Sequence, residues 1–308
     1  MAELTAAQKN LLQEIAGLSC SPGGAFNIRA NGGMAARQVT DNINITSKQD
    51  KPGIDIHISS ECQGETMYIP VVIDESGMTD VVYNDFYIAE NADVKIIAGC
   101  GIHNCGNDDS QHDGIHRFFV GKNAHVQYIE NHYGEGDGNG KRILNPVTEV
   151  YQEEGSSVEM EMVQIKGVDS TIRKTISKLE RDAKLIVRER LMTHGEQTAV
   201  SDYLTELNGD GSSADVVSRS VARDSSYQKY VSRIVGNAEC TGHTECDAIL
   251  MDNARVLAIP ELDAVNIDAS LVHEAAIGKI AGDQLIKLMT LGLTPEEAEQ
   301  EIINGFLA

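Results

Sequence analysis

Short polar turns, each followed at once by a strand-like apolar run, recur along most of this chain. They are Asn91-Ala-Asp-Val94, Asn123-Ala-His-Val126, Gly155-Ser-Ser-Val158, Asp182-Ala-Lys-Leu185 and Gly211-Ser-Ser-Ala214, with Asn253-Ala-Arg-Val256 further on. From Val94 the apolar member returns after 32, 32, 27 and 29 residues. The runs they introduce, such as Val94-Lys-Ile-Ile-Ala98, Val126-Gln-Tyr-Ile129 and Leu185-Ile-Val-Arg188, are rich in β-branched residues. A unit of this size cannot bury its own apolar face, so near-regular recurrence predicts stacking of one unit on the next, a β-solenoid. A β-sandwich also produces many short strands and is the alternative. The drift from 32 to 27 departs from an ideal repeat.

Either side of the repeats the pattern changes. Leu4, Leu11, Ile15 and Leu18 are spaced by seven, four and three, so residues 5–16 read as an amphipathic helix, capped by Thr5 and stopped by Ser21-Pro-Gly-Gly24. Helical periodicity then vanishes until Glu274. From there Ile277, Ile280, Leu285, Leu288 and Met289 suit one helix ended by Gly292. Thr294-Pro-Glu-Glu297 offers an N-cap, proline at the first helical position and a capping box for a second, whose apolar face is Ala298, Ile302, Ile303 and Phe306. The expected division is an N-terminal helix in 1–20, a β core in 21–273 and a helical C-terminal domain in 274–308. Two such short helices make no core of their own, so they pack on the β body or dock a partner. Absent Trp, 5% aromatic residues and 28 glycines suit a narrow interior of Val, Ile, Leu and Ala.

The net charge of −22 opposes DNA or RNA as a partner, because the phosphate contribution would be repulsive. No apolar run approaches the roughly 18–20 residues of a membrane helix. Met1-Ala-Glu-Leu-Thr carries no basic stretch like that of a secretory signal, so a cytoplasmic setting is expected and the Asn44-Ile-Thr46 sequon carries no weight. Six cysteines scattered at 20, 62, 100, 105, 240 and 246 read as free thiols or metal ligands rather than disulfides. Gly134-Glu-Gly-Asp-Gly-Asn-Gly-Lys141 has the wrong glycine spacing for a phosphate loop, and Arg142 stands where a hydroxyl would hold Mg²⁺. No nucleotide site is expected on this chain. His273-Glu-Ala-Ala-Ile277 lacks the second histidine of a zinc peptidase.

Two constellations remain. Cys100-Gly-Ile-His103-Asn-Cys105, with His112 or His116 to complete a tetrahedron, is a candidate zinc or sulfur-handling site, on a Cys-x4-Cys spacing that is not distinctive. The other combines Cys246, His273 and Glu274, which are soft, borderline and hard ligands in turn. In Cys240-Thr-Gly-His243-Thr-Glu-Cys246, alternation is read as turning Cys240 and His243 away from Cys246, leaving one exposed functional thiol.

Residues 233–306 resemble the C-terminal segment of the SufB/SufD scaffold family. The resemblance runs through Gly236-Asn-Ala, Glu245-Cys-Asp-Ala248, Ala258-Ile-Pro-Glu-Leu262, Leu271-Val-His-Glu-Ala-Ala276, Asp283-Gln-Leu285, Gly292-Leu-Thr and Ile302-Ile-Asn-Gly-Phe306. It implies a right-handed parallel β-helix whose helical C-terminal domain binds a SufC-like ABC-type ATPase, with cluster assembly at the interface of two β-helix subunits. Cys246 matches the family's essential cysteine, Glu274 its acidic ligand and His273 its histidine. In the two-paralogue arrangement those groups are divided between subunits; here one chain carries all three, so a homodimer would suffice. Two Cys246 and two Glu274 give the four ligands a [4Fe–4S] cluster shared between two chains asks for, held more weakly than by four thiolates. The expectation is therefore a non-enzymatic assembly scaffold that also meets a sulfur donor and apoprotein acceptors. The alternatives are a SufD-like structural subunit without its own cluster and a zinc-binding β-solenoid hydrolase.

Overall fold

The computed structural model describes residues 4–19 and 22–307; Cys20 and Ser21 lie outside them. The repeats form a β-solenoid of about eight turns, not a sandwich. Helix α1 (Ala6–Ala16) precedes twenty strands: β1 (Ala25–Ala30), β2 (Gly33–Gln38), β3 (Ile43–Ser47), β4 (Gly53–Ile58), β5 (Gln63–Ile73), β6 (Thr79–Ile88), β7 (Asp93–His103), β8 (Ser110–Val120), β9 (His125–Glu135), β10 (Arg142–Leu144), β11 (Val147–Gln152), β12 (Ser157–Lys166), β13 (Ser170–Leu179), β14 (Lys184–Thr193), β15 (Thr198–Leu207), β16 (Ser213–Ala222), β17 (Tyr227–Gly236), β18 (Thr241–Leu250), β19 (Arg255–Ala264) and β20 (Ser270–Gly278). Helices α2 (Gly282–Met289) and α3 (Pro295–Phe306) follow. From β4 onward successive strands alternate between two sheets, β10 and β11 counting as one interrupted strand. The first runs β2-β1-β5-β7-β9-β12-β14-β16-β18-β20 and the second β19-β17-β15-β13-β10-β8-β6-β4-β3, with β11 also between β8 and β13. Pairing is parallel except at the start, where β2 and β3 run against β1 and β4.

The turns explain the repeat. Asn91, Asn123 and Asp182 have φ of 60°, 54° and 56°, and Gly155 and Gly211 have 71° and 76°. Only residues tolerant of the left-handed region serve there, which is why Asn, Asp and Gly recur. At the sixth turn Asp252, not Asn253, takes that conformation, and it leads into β19 in the second sheet, out of step with the other five. Val94, Val126, Val158, Leu185 and Ala214 stack directly over one another as one inward column of the first sheet. The period shortens because the corner at 104–109 and again at 136–141 contracts to 167–169 in the next coil, while the strands lose about one residue.

Most inward apolar residues form one cluster from Ala25 to Cys246, with a separate one around Ile73, Cys100, Ile102 and Leu144. Helix α1 lies outside the first sheet, its Leu11, Leu12 and Ile15 packed on Phe26, Ile28 and Val72. Outward Gly99 and Gly101 on β7 make room: a Cβ at 99 would stand 2.9 Å from Ile15 Cβ, and one at 101 would stand 3.1 Å from Leu11 Cβ. The capping box at Thr5 and Gln8 forms as expected, but the helix already stops at Gly17, whose φ is 66°. At the other end the expected change of structure at Glu274 falls inside β20, so Glu274 and Ile277 join His273 in the solenoid instead of starting a helix. The capping box at Thr294 is present, and Ile303 of α3 and its C-cap Leu307 are buried against outward Val221. Helix α2 buries nothing, and Ile286, Met289 and Leu291 around it are exposed. No helix among the described residues is long and apolar enough to cross a membrane.

Candidate functional site

The last two coils carry the residues singled out above. On β18 the inward set is Gly242, Thr244, Cys246 and Ala248, and the outward set His243, Glu245 and Asp247. Cys246 is 1% exposed, so the expected exposed thiol is instead a buried one. Six residues separate it from Cys240, an even number that puts both on the inward side, and Cys240 is buried as well. Burial in an apolar interior, with the Glu189 and Asp247 carboxylates nearby, pushes the Cys246 thiol up to about 12. It stacks on Ser218, whose hydroxyl donates to Glu189 Oε2 at 2.7 Å. A thiol in that setting stays protonated and unreactive until solvent or a metal reaches it.

On β20, His273 pairs with Thr244 and Glu274 with Glu245. His273 therefore continues the inward column, its Nδ1 is buried without a partner, and burial lowers its affinity for a proton. Glu274 faces outward. Within one chain, then, Cys246 and His273 point to the interior and Glu274 to the opposite face of the sheet. What Glu274 meets there is a set that the sequence reading missed. The ligand-capable atoms of His243, Glu245 and Glu274 lie within 4.8 Å of one another. His243 Nδ1 is 2.8 Å from Asp215 Oδ1, and its Nε2 is 3.7 Å from Glu274 Oε2. Asp215 in turn accepts from Arg188 at 2.7 Å. A hydrogen bond with Asp247, partial burial and that neighbour's charge raise the Glu245 carboxyl. One signal was available: Glu245 and Glu274 are separated by one coil, so they had to be neighbours.

The Cys100 segment is divided in the same way. Cys100 lies in the core, its thiol pushed well up by burial, whereas His103 and Cys105 lie at the surface with Cys105 Sγ 3.0 Å from His103 Nε2. His103 Nδ1 faces Glu135 Oε1 at 3.0 Å. The three expected ligands do not converge. Cys100 shares the interior with His112, His116, Glu130 and His132 instead. There Arg173 bridges Glu130 and Glu189 across the two sheets, and His112 Nδ1 lies 3.2 Å from Asp80 Oδ2. The second nitrogen of His112 and Nδ1 of His116 have no partner. Among the described residues all five cysteines are free.

A family model described as SUF system FeS cluster assembly, SufBD core domain, matches residues 72–306. An iron-sulfur cluster assembly SufBD family protein of Archaeoglobus fulgidus is 30% identical over 230 residues, 73% of this chain and 60% of that protein. One from Methanothermobacter thermautotrophicus is 29% identical over 243 residues, 77% of this chain and 57% of its own length. A Pyrococcus horikoshii protein of the same description is 31% identical over 305 residues, covering 96% of this chain and 84% of the relative. The chain thus spans about 60% of the length of the first two relatives.

Proposed function

The chain belongs to the SufBD core family of SUF-system iron–sulfur cluster assembly proteins, and from that premise we propose that it is a scaffold on which a nascent cluster is built. Cys246 is the thiolate ligand, with Glu274 and His273 beside it. The observation that carries this reading is their position: all three sit in the last two coils, where β19 and β20 end both sheets with unpaired edges. Exposed Leu257, Leu262, Val265, Ile267 and Val272 flank those edges. Unpaired edges beside apolar side chains suit association with a second copy. In a homodimer the two-fold axis would bring two such ends together and supply four ligands for one [4Fe–4S] cluster.

The buried thiol fits cargo held only at a chosen moment. Metal binding needs the thiolate, and burial that pushes the thiol up to about 12 opposes its formation while Cys246 stays covered. A SufC-like ATPase is the proposed driver. Exposed Ile286, Met289 and Leu291 on and after α2, beside an α3 anchored through Ile303, provide a docking face next to that coil.

Anaerobic reconstitution followed by iron and acid-labile sulfide analysis tests the reading. About two irons and two sulfides per chain, lost in Cys246→Ala, are expected for one cluster per dimer, with absorption and Mössbauer spectra separating [4Fe–4S] from [2Fe–2S]. A Cys246→Ala protein that assembles and transfers clusters normally would refute it. The opposite facing of Cys246 and Glu274 within one chain favours a second reading, a structural subunit without its own cluster. Absence of iron from both proteins would select that one.

A further inference from the structure

We propose that His243, Glu245 and Glu274 form a binding site for one divalent first-row metal ion, on the outer face of the first sheet and separate from Cys246. Three observations converge on it. The donor atoms of these side chains already lie within 4.8 Å of one another, close enough to share an ion without a change of backbone. Asp215, outside the donor set, holds His243 Nδ1 at 2.8 Å; a carboxylate only accepts, so Nδ1 carries the hydrogen and Nε2 is the ring nitrogen turned toward Glu274. This is the carboxylate–histidine arrangement that orients metal-binding imidazoles and raises their basicity. Finally, Glu245 and Glu274 stand directly opposite each other on adjacent strands, with Asp247 on the same face. Like charges so placed destabilise a sheet. Of the cationic groups on that face, Arg188 is engaged by Asp215, Arg190 by Glu161, and Arg219 stands opposite Asp247 on β16, where its charge also reaches Glu245. A cation between the two carboxylates and the imidazole offsets that repulsion.

The donor set defines the class of ion. One imidazole and two carboxylates suit Fe²⁺, Mn²⁺, Co²⁺ or Zn²⁺; the absence of thiolate disfavours Cu⁺, and the nitrogen donor disfavours Ca²⁺. Three protein donors leave positions to water, so the ion exchanges. Glu274 belongs to both this site and the proposed cluster ligand set, which places a loaded ion on the outer face of the strand whose inner face carries Cys246. The inference rests on the assembly reading for the identity of that ion as iron, and not for its binding.

Cobalt(II), redox-stable and coloured, is the probe. It is titrated anaerobically into the full chain and into His243→Ala, Glu245→Gln, Asp215→Asn and Cys246→Ala, by calorimetry and visible absorption, with circular dichroism confirming the fold of each. One Co²⁺ per chain is expected, without a sulfur-to-cobalt charge-transfer band. Affinity should fall at least about tenfold in His243→Ala and Glu245→Gln and about tenfold in Asp215→Asn. Cys246→Ala should bind as the unmodified protein does. Binding unchanged in His243→Ala and Glu245→Gln, or weak binding of several ions to exposed carboxylates, would overturn the proposal, as would a thiolate band that disappears in Cys246→Ala. The assembly reading fails separately: site variants that lose Co²⁺ while the unmodified chain builds no cluster would leave this site standing.

Discussion

His116 sits inside the solenoid, 6.1 Å from Phe86 ring to ring, with Nδ1 unpartnered. Burial holds its pKa down to about 4, against the pull of Glu130 and with repulsion from His112, His132 and Arg173. An unfolded histidine titrates near 6.5, so between about 6.5 and 4 the unfolded chain binds the extra proton. Stability conferred by the neutral ring is present above pH 6.5 and is lost as pH falls toward 4, by about 3 kcal/mol at most. Urea unfolding at pH 7.5 and 4.5 should show this loss, and His116→Gln should remove most of it; an unchanged slope would mean the ring is solvated. The interior that sets this value was not legible in the sequence. Glu130, Arg173 and Glu189 carry no local sign of burial, since charged residues are rarely buried unpaired and the partner of Glu130 lies 43 residues away on the other sheet. The facing of Cys246 was legible, since Cys240 and Cys246 share parity. Its identity as a candidate ligand came from the resemblance, not from spacing.

At the scale of elements, the turns were the most legible feature because backbone sterics leave few residue types for a left-handed position. Asn91, Asn123, Gly155, Asp182 and Gly211 all hold it. The second half of the strand over Ser270–Gly278, from Glu274 on, was misread as the approach to a helix because the strand closes the stack. With no further coil above it, its outward and inward positions are both partly exposed, and Val272, Ala275, Ala276 and Ile277 do not alternate as buried strands do. The docking of α1 was invisible for another reason: Gly99 and Gly101 register as strand weakeners until the helix that fills their space is seen. Gly99→Val should overpack that contact, where a Cβ already falls 2.7 Å from Asn131 O, at a cost of about 1–3 kcal/mol. Hydrogen exchange should then show α1 released while β7 and β9 stay protected. Equal protection of α1 in both proteins would mean the helix is held from elsewhere.

For the whole molecule, stacking makes contacts local to neighbouring coils, so stability is close to a sum over coils and their interfaces. The terminal coils then open most readily, and the last of them covers Cys246. Light scattering on the purified chain is expected to report a dimer, and Val265→Glu with Ile267→Glu, at two exposed apolar positions after β19, is expected to return monomers. A monomer in the unmodified chain would remove the shared-cluster geometry. The reversed strands β2 and β3 bear on how far association can go. A stack of parallel coils ending alike at both faces could add copies head to tail and grow into a filament. Here the first coil presents strands of the opposite direction, so it offers no continuation of the parallel register to the open last coil of another copy. In the proposed dimer, growth would therefore stop after one pairing of like ends, and chain direction would set the number of scaffold centres in the assembly.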